Sequence, residues 1–390
     1  MKLPGGFAAA GVACGLKSRG GLDLGLLVSD RPTTAAGVVT GNRVKAAPVL
    51  LTKRLLRTGS ARGIVVNAGN ANACTGRQGI LDAQQMGAAA ARAATTHRRQ
   101  MLVASTGIIG VPMDMDAAVR GIAAAADGLS PGGLDDFADA ILTTDTTRKV
   151  AAASLDGGAS IVGVAKGAAM IAPEMATMLC FIATDAPVDR TVLTSSLTAA
   201  MPDSFNAISV DGCMSTNDCV LVLANGAAGG EPITLEDARA DAFAEALRGV
   251  CARLARAIVE DGEGATKVVT IRVDGAVNPK EAKRAASTVA SSVLLRCALH
   301  GADPNWGRVL AALGTSGIPF DPNLIDVWIG GEQLCARSAP GPGDGGRARL
   351  ALLEREVEVR VEMNRGGASA TVLTNDLSAE YVRLNAEYTT

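Results

Sequence analysis

The chain has 390 residues, 48% of them hydrophobic and only 3% aromatic, so it can bury a sizeable core of aliphatic side chains. Its 37 basic and 39 acidic side chains nearly balance, and no stretch interleaves Lys and Arg with aromatics, which argues against nucleic-acid binding. The length fits one large α/β unit or two lobes. The 45 glycines follow no fixed period and indicate many tight turns in a layered fold.

The pattern along the chain predicts strands and helices in mixed order. Apolar or alternating runs predict strands at residues 24–29, 37–40, 63–67, 101–105, 150–155, 160–164, 178–183, 219–224, 267–273 and 349–363. Helical composition predicts helices at residues 82–98, 117–126, 134–142, 191–201, 235–259 and 279–290. No Gly-x-Gly-x-x-Gly opens a helix after a strand and no P-loop is present, so a Rossmann-like sheet is not expected.

The eight cysteines show no spacing that would indicate a metal site. None forms a Cys-x-x-Cys pair, and the histidine closest to a cysteine is His300, three residues after Cys297. Cysteines scattered through a long chain are typical of a reducing cytoplasm. The first fourteen residues loosely imitate a lipoprotein signal, but Pro4 and several glycines interrupt an apolar region too short to span a membrane. We therefore expect a cytoplasmic protein without a metal and without membrane contact.

The supply of catalytic histidines is small. His97 and His300 are the two in the sequence, and no Gly-x-Ser-x-Gly segment is present to form a nucleophile elbow. A covalent enzyme of this composition would need another base. Thr177 offers one route, because a threonine that becomes the first residue of a chain can use its own α-amine, with an unperturbed pKa of about 7.7–8.0, as the base.

Exposing that amine in mid-chain requires self-cleavage. The Thr177 hydroxyl would attack the Ala176 carbonyl, and water would then hydrolyse the resulting ester. Such chemistry needs a small residue before the threonine, a strained turn and a donor for the oxyanion, and Ala176 and Pro173 suit the first two needs. The residues alone also allow a purely structural threonine at the start of the strand predicted over 178–183.

Five segments follow one another along the chain: NAGNANACTG at 67–76, STGIIG at 105–110, KGAAMIAPEMATML at 166–179, DPNWGR at 303–308 and NAEYTT at 385–390. Together they resemble the ornithine acetyltransferase family, the glutamate N-acetyltransferases of arginine biosynthesis. The likeness covers nearly the whole chain. It implies an α/β fold, a layered sandwich of mixed sheets flanked by helices, of the N-terminal-nucleophile type found in ornithine acetyltransferases.

The resemblance implies cleavage between Ala176 and Thr177. The products would be an α chain of residues 1–176 and a β chain of residues 177–390, intertwined rather than separate, with residues 270–390 as a candidate C-terminal lobe. Such pairs commonly assemble into an α2β2 heterotetramer. Thr177 would be the nucleophile that carries the acetyl group, and Thr106 and Gly107 would form the oxyanion hole. The implied substrate-binding residues are Thr143, Lys166, Thr177, Glu263, Asn385 and Thr390.

The residue types suit these roles. Lys166 can pair with a carboxylate and Glu263 with an ammonium group, and the small Gly107 lets its N–H approach a developing negative charge. The implied reaction moves acetyl from N2-acetylornithine to Thr177, releases ornithine and passes the acetyl group to glutamate. No metal or organic cofactor is implied, and acetyl-CoA is a candidate second acetyl donor.

Two residues depart from the usual family pattern. Ala169 stands where the family often has Gly, and Glu174 where Asn is common. Ala169 requires a backbone that avoids positive φ, and we expect the charge of Glu174 near the scissile bond to slow self-cleavage. Two alternatives remain from the sequence. One is an amidohydrolase or aminopeptidase of related fold that passes the acyl group to water, and the other is a non-catalytic binding protein.

Overall fold

The computed structural model describes residues 1–172 and 178–387, which form two mixed sheets flanked by helices. The strands are β1 (Phe7–Val12), β2 (Leu24–Val39), β3 (Ser60–Asn70), β4 (Met101–Ile108), β5 (Lys149–Ser154), β6 (Ser160–Lys166), β7 (Leu179–Thr184), β8 (Cys219–Ala224), β9 (Val268–Ala276), β10 (Asp326–Ile329), β11 (Glu332–Ala336), β12 (Ala339–Pro340), β13 (Glu356–Glu362) and β14 (Ala368–Asn375). The helices are α1 (Ala47–Leu55), α2 (Gly76–Ala93), α3 (Met115–Asp127), α4 (Leu134–Ile141), α5 (Arg190–Ala200), α6 (Arg239–Glu260), α7 (Pro279–Ala290), α8 (Val293–His300), α9 (Trp306–Gly314), α10 (Gly345–Ala351) and α11 (Ala379–Glu387).

The larger sheet has the strand order β4-β3-β2-β8-β7-β6-β5, with β1 also paired to β2. The β3–β4 and β7–β8 pairs are parallel and the others antiparallel. Helices α1 to α4 cover one face, and α5 and α6 cover the other. Strand β7 sends Leu179 and Phe181 into one core and Cys180 and Ile182 into the other. The strand predicted at 178–183 is thus present, and its unbroken apolar run is typical of a strand buried on both faces.

The smaller sheet has the order β12-β11-β10-β13-β9-β14 and a hydrophobic core of its own, with α7 to α10 packed against one face. In β13 the side chains of Val357, Val359 and Val361 enter this core, whereas Glu356 and Glu358 are exposed. The Glu-Val-Glu-Val-Arg-Val-Glu sequence of this strand therefore alternates between the two faces of the sheet, as a half-exposed strand does. Two mixed sheets with flanking helices confirm the predicted α/β class.

Several predicted bounds are wrong. The two strands expected at 24–29 and 37–40 are one strand, β2, which has a bulge between Val28 and Thr33. Its first part pairs with β3 and its last part, from Thr34 onward, pairs with β8. The exposed Pro32, which has no N–H to donate, lies in that bulge. Residues 7–12, which the sequence did not indicate as a strand, form β1 and pair with β2.

Two further corrections concern helix ends. The helix predicted at 82–98 is α2, which begins at Gly76 and ends at Ala93, shortly before Thr95 adopts a left-handed φ of 51°. The strand predicted at 349–363 begins only at Glu356. Residues 349–351 belong to α10 because the Asp344 side chain accepts two backbone N–H groups at the start of that helix.

Candidate active site

The nucleophile and the scissile bond predicted from the sequence lie outside the described residues. Ala176 and Thr177 lie in the undescribed range 173–177, as does Glu174. The predicted substrate residue Thr390 lies in the undescribed range 388–390. The described part of the site is therefore the chain on either side of this segment, where Ala172 and Met178 are both buried.

Asp218 holds the chain directly after Thr177. Its Oδ1 accepts the Met178 backbone N–H at 2.9 Å, and its Oδ2 has no hydrogen-bond partner among the described residues. Cys219, the first residue of β8, donates its N–H to the Met178 carbonyl at 3.2 Å. Burial raises the pKa of the Asp218 carboxyl well above its ordinary value. Asp218 was not predicted from the sequence.

Asp211 holds the chain on the upstream side. Its carboxylate accepts the backbone N–H groups of Met170 at 2.5 Å and Ile171 at 2.9 Å, and the Tyr381 hydroxyl at 3.3 Å. Burial raises the pKa of Asp211, although these donors oppose the shift. Met170 has a left-handed φ of 56°, whereas Ala169 is not among the described residues with positive φ. The backbone condition predicted for Ala169 is thus met.

The predicted oxyanion residues Thr106 and Gly107 lie near the end of β4. Gly107 has φ 129°, and a Cβ there would lie 2.3 Å from the carbonyl carbon of Gly69 on the neighbouring strand, so no larger residue fits. Asn217 supports this edge by donating its Nδ2 to the Ser105 carbonyl at 2.7 Å. Since Asn217 directly precedes Asp218, one turn supports both the oxyanion strand and the chain that follows Thr177.

Lys166 brings two of the other predicted residues together. Its Nζ donates to Thr143 Oγ1 at 2.6 Å and lies 3.4 Å from Thr106 Oγ1. Lys166 is the last residue of β6 and pairs across the ladder with Leu179 of β7. Thr106, Thr143 and Lys166 therefore converge beside the strand that begins two residues after Thr177.

A buried ion cluster lies beneath Lys166. Asp145 Oδ1 is 2.7 Å from Lys149 Nζ, and Asp145 Oδ2 is 4.0 Å from Lys166 Nζ. Lys149 also contacts Asp261 at 2.5 Å. Burial by itself raises the pKa of Asp145, but the ammonium groups of Lys166 and Lys149 outweigh it and bring the pKa to about 2. Burial lowers the pKa of Lys166, and Asp145 opposes that shift.

Glu263 and Asn385 form a second group. The backbone N–H of Glu263 donates to the Ala168 carbonyl at 2.9 Å, and Asn385 Nδ2 donates to Glu263 Oε2 at 2.7 Å. Asn385 lies on α11, which is fastened by the Tyr381 hydroxyl to Asp211. The last helix thus brings the C-terminal part of the chain to the segment that precedes Thr177.

A cavity of about 220 Å³ opens at the oxyanion edge, lined in part by Gly107, Thr143, Lys17 and Arg19. Asp23 shapes its wall, because its carboxylate accepts four successive backbone N–H groups, from residues 14–17, at 2.6 to 3.1 Å. Two cations beside the oxyanion strand suit a substrate carboxylate. This wall was not predicted from the sequence, since nothing in residues 14–20 except the glycines marks a loop that folds onto β4.

Among residues 1–172 and 178–387, no helix combines the length and the apolar character that crossing a bilayer requires. Within the same ranges, no three His, Cys, Asp or Glu side chains gather closely enough to hold a metal ion.

The chain matches known proteins over nearly its whole length. The model of the ArgJ family matches residues 8–390. "Arginine biosynthesis bifunctional protein ArgJ" of Symbiobacterium thermophilum is 49% identical over 100% of this chain and 98% of its own length, and the protein of that name in Geobacter sulfurreducens is 44% identical over 99% of each. A crystal structure of arginine biosynthesis bifunctional protein ArgJ from Bacillus halodurans shares 39% identity with a TM-score of 0.51, covering 53% of this chain and 98% of that chain. The chain belongs to the ArgJ family.

Proposed function

We propose that this chain is an acetyltransferase of arginine biosynthesis that moves an acetyl group from N2-acetylornithine to glutamate through Thr177. The observation that carries the proposal is the convergence of Thr106, Thr143 and Lys166 beside the start of β7. Family membership and relatives named as arginine biosynthesis proteins support it. They favour a transferase over the hydrolase and the binding protein that the sequence left open.

The first step is self-cleavage. The Thr177 hydroxyl attacks the Ala176 carbonyl, the peptide C–N bond breaks as an ester forms, and water hydrolyses the ester to leave a free amine on Thr177 and a carboxylate on Ala176. Asp211 and Asp218 hold the described chain before and after this segment. The Bacillus halodurans relative supports cleavage, because its crystallised chain is matched over 98% of its length by only 53% of this one.

The second step is acetylation of the enzyme. The freed α-amine of Thr177 takes the proton of its own hydroxyl, whose oxygen attacks the acetyl carbonyl of N2-acetylornithine. The Gly107 N–H and Thr106 stabilise the negative charge on the carbonyl oxygen. The amide C–N bond breaks, the proton passes to the departing amine, and ornithine leaves an acetyl ester on Thr177.

In the third step glutamate accepts the acetyl group. Its amine attacks the ester, and the Thr177 oxygen leaves with a proton, which regenerates the enzyme. Lys166 binds a substrate carboxylate, while Glu263 and Asn385 bind an ammonium group. The ion pair with Asp145 keeps the ammonium of Lys166 close to Thr143 and Thr106.

The cellular setting is proposed on the same basis. We expect a cytoplasmic enzyme whose α chain (1–176) and β chain (177–390) assemble as α2β2, without an organic cofactor or a metal. Acetyl-CoA would be a second acetyl donor for making N-acetylglutamate, which the word bifunctional in the names of the relatives favours.

Thr177→Ala tests the proposal. The wild type should separate on a denaturing gel into chains of 176 and 214 residues, the larger beginning Thr177-Met178-Leu179. With N2-acetylornithine and no glutamate, the larger chain alone should gain one acetyl group. The Ala variant should run as one band and transfer nothing. Thr177→Ser, which keeps the hydroxyl but loses the methyl that restricts χ1, should cleave and turn over more slowly. Cleavage before residue 177 in the Ala variant, or acetyl elsewhere, would refute it.

A further inference from the structure

Helix α7 presents a basic and hydroxyl-bearing face to a cleft of about 1010 Å³. Its apolar face, which includes Ala282, Ala286 and Val289, is fully buried against the smaller sheet. The residues that line the cleft follow at intervals of three and four along the other face. They are Lys280, Lys283, Arg284, Ser287, Thr288 and Ser291.

The positive charge of this cleft is not neutralised by ion pairs. Lys280, Lys283 and Arg284 on α7 and Arg308 on α9 line it, and none of the four forms a salt bridge with a carboxylate of the described ranges. Asp203 acts on Lys283 only at longer range. Four cations thus share one cleft, and none of the described residues that line it is acidic.

Three of these cations are oriented by neutral groups. Lys283 Nζ donates to the Pro202 carbonyl at 3.0 Å, and Arg308 Nη1 donates to the Leu294 carbonyl at 2.7 Å. Arg284 Nε donates to the carbonyl of Ser316. Carbonyl oxygens fix a side chain without cancelling its charge, so the cleft is preorganised for an anion.

One end of the cleft lies at the last described residue before the segment that contains Thr177. That residue, Ala172, belongs to the lining of the cleft together with Gly212 and Met214. Gly212 follows Asp211, the residue that anchors Met170 and Ile171. A ligand in the cleft therefore lies beside the chain that leads to Thr177.

We propose that this cleft binds acetyl-coenzyme A, with the phosphates of its 3′-phospho-ADP part against the cations of α7 and α9. The proposal rests on the proposed function and locates its second donor. Ligand pockets commonly measure about 300–1,000 Å³, so this cleft suits a large ligand. The pantetheine arm carries the thioester past Ala172 to Thr177. The Thr177 oxygen attacks the thioester carbonyl, the C–S bond breaks, and the thiolate takes the proton held by the Thr177 amine.

The test is calorimetric titration of the processed enzyme with CoA, 3′-dephospho-CoA and ATP. The double variant Lys280→Gln, Arg284→Gln should raise the Kd of CoA about tenfold or more, because charge-assisted contacts are lost. Its transfer from N2-acetylornithine should stay at the wild-type rate. The matched control is Lys53→Gln, Arg54→Gln, which removes the same charges from the exposed side of α1 and should leave the Kd unchanged.

Lys280→Gln alone is the control for misfolding of the double variant. Because Lys280 is exposed, this substitution should leave the melting temperature unchanged and should still weaken CoA binding. A wild type that does not bind CoA, or a double variant that binds it like the control, overturns the proposal. ATP binding as tight as that of CoA overturns the assignment to a coenzyme A ester. Loss of CoA binding in the double variant, together with no transfer from N2-acetylornithine by the wild type, would support the cleft and refute the proposed function.

Discussion

Two buried aspartates near the segment that contains Thr177, Asp145 and Asp218, have pKa shifts of opposite sign. Neither Asp145 nor Asp218 exposes its side chain. Asp145 has Lys149 Nζ at 2.7 Å and accepts the Gly167 N–H at 2.6 Å, and its pKa is about 2. Asp218 accepts the Met178 N–H, and its pKa is raised well above the ordinary value. Burial raises the pKa in both, so the partners decide the sign of the net shift.

The difference assigns the two carboxyl groups different roles. Asp145 is an anion that compensates the ammonium groups of Lys149 and Lys166 and so positions Lys166 for substrate. The pKa of Asp218 is raised, so this carboxyl retains its proton to higher pH, and its Oδ2 has no hydrogen-bond partner in the described chain. We expect Asp218 to exchange a proton during self-cleavage, next to Met178 at the start of the new chain.

Asp145→Asn should have the largest effect. It leaves two buried ammonium groups with less compensation, so we expect the free energy of unfolding to fall by about 3–5 kcal/mol. Acetyl transfer should be lost as Lys166 moves. Urea unfolding and the transfer assay measure the two effects. A loss of stability below about 1 kcal/mol would mean that Asp145 is not the counter-ion of this cluster.

Asp218→Asn is the contrasting substitution. An amide oxygen can still accept the Met178 N–H, and the raised pKa of Asp218 means that the substitution removes less negative charge than it would at an ordinary carboxylate. We expect a stability change of about 1 kcal/mol or less. Self-cleavage should slow, which a time course on a denaturing gel would follow. A variant that loses as much stability as Asp145→Asn, or that cleaves at the wild-type rate, would contradict the contrast.

The pH dependence of stability should have opposite signs at the two sites. The pKa of Asp145 is lowered from 3.8 to about 2, so its contribution is complete above 3.8 and is lost as the pH falls through about 2. The pKa of Asp218 is raised, so its contribution is complete below 3.8 and is lost as the pH rises toward the raised value. The free energy of unfolding of the wild type minus that of Asp218→Asn should therefore fall as the pH rises above 3.8. A flat difference would show that Asp218 titrates alike in the folded and unfolded chains.

The sequence predicted what is local. The apolar runs of β7 and β8 gave nearly correct bounds because every residue in them is buried. The motif at 105–110 correctly singled out Gly107, where the structure shows that a Cβ would collide with Gly69. The residues that support the site from behind, Asp145 and Asp218, were not predicted, because their contacts join distant parts of the chain. Asp218 lies 40 residues from Met178, and Asp145 lies 22 residues from Gly167.

The local sequence around Asp218 and Asp145 also gave little sign that these residues support the site. A lone aspartate in a polar turn such as Ser215 to Asp218 reads like any solvated loop, and only the folded chain shows that it is buried. Asp145 had one signal, its place in the Thr-Thr-Asp-Thr segment that contains the predicted Thr143. Thr177, Ala176 and Thr390 remain predictions, since they lie outside the described residues.

Glu263→Gln should have the smallest effect on stability, and it extends the comparison to a carboxylate that binds the substrate. Glutamine keeps the shape and an oxygen that can accept Asn385 Nδ2, so folding and self-cleavage should be unaffected. The charge that binds the substrate ammonium is lost in the ground state and in the transition state alike. KM should therefore rise, by about tenfold, with little change in kcat. Steady-state kinetics with N2-acetylornithine and with glutamate would measure this, and an unchanged KM for both would remove Glu263 from the site, whatever happens at Asp145 and Asp218.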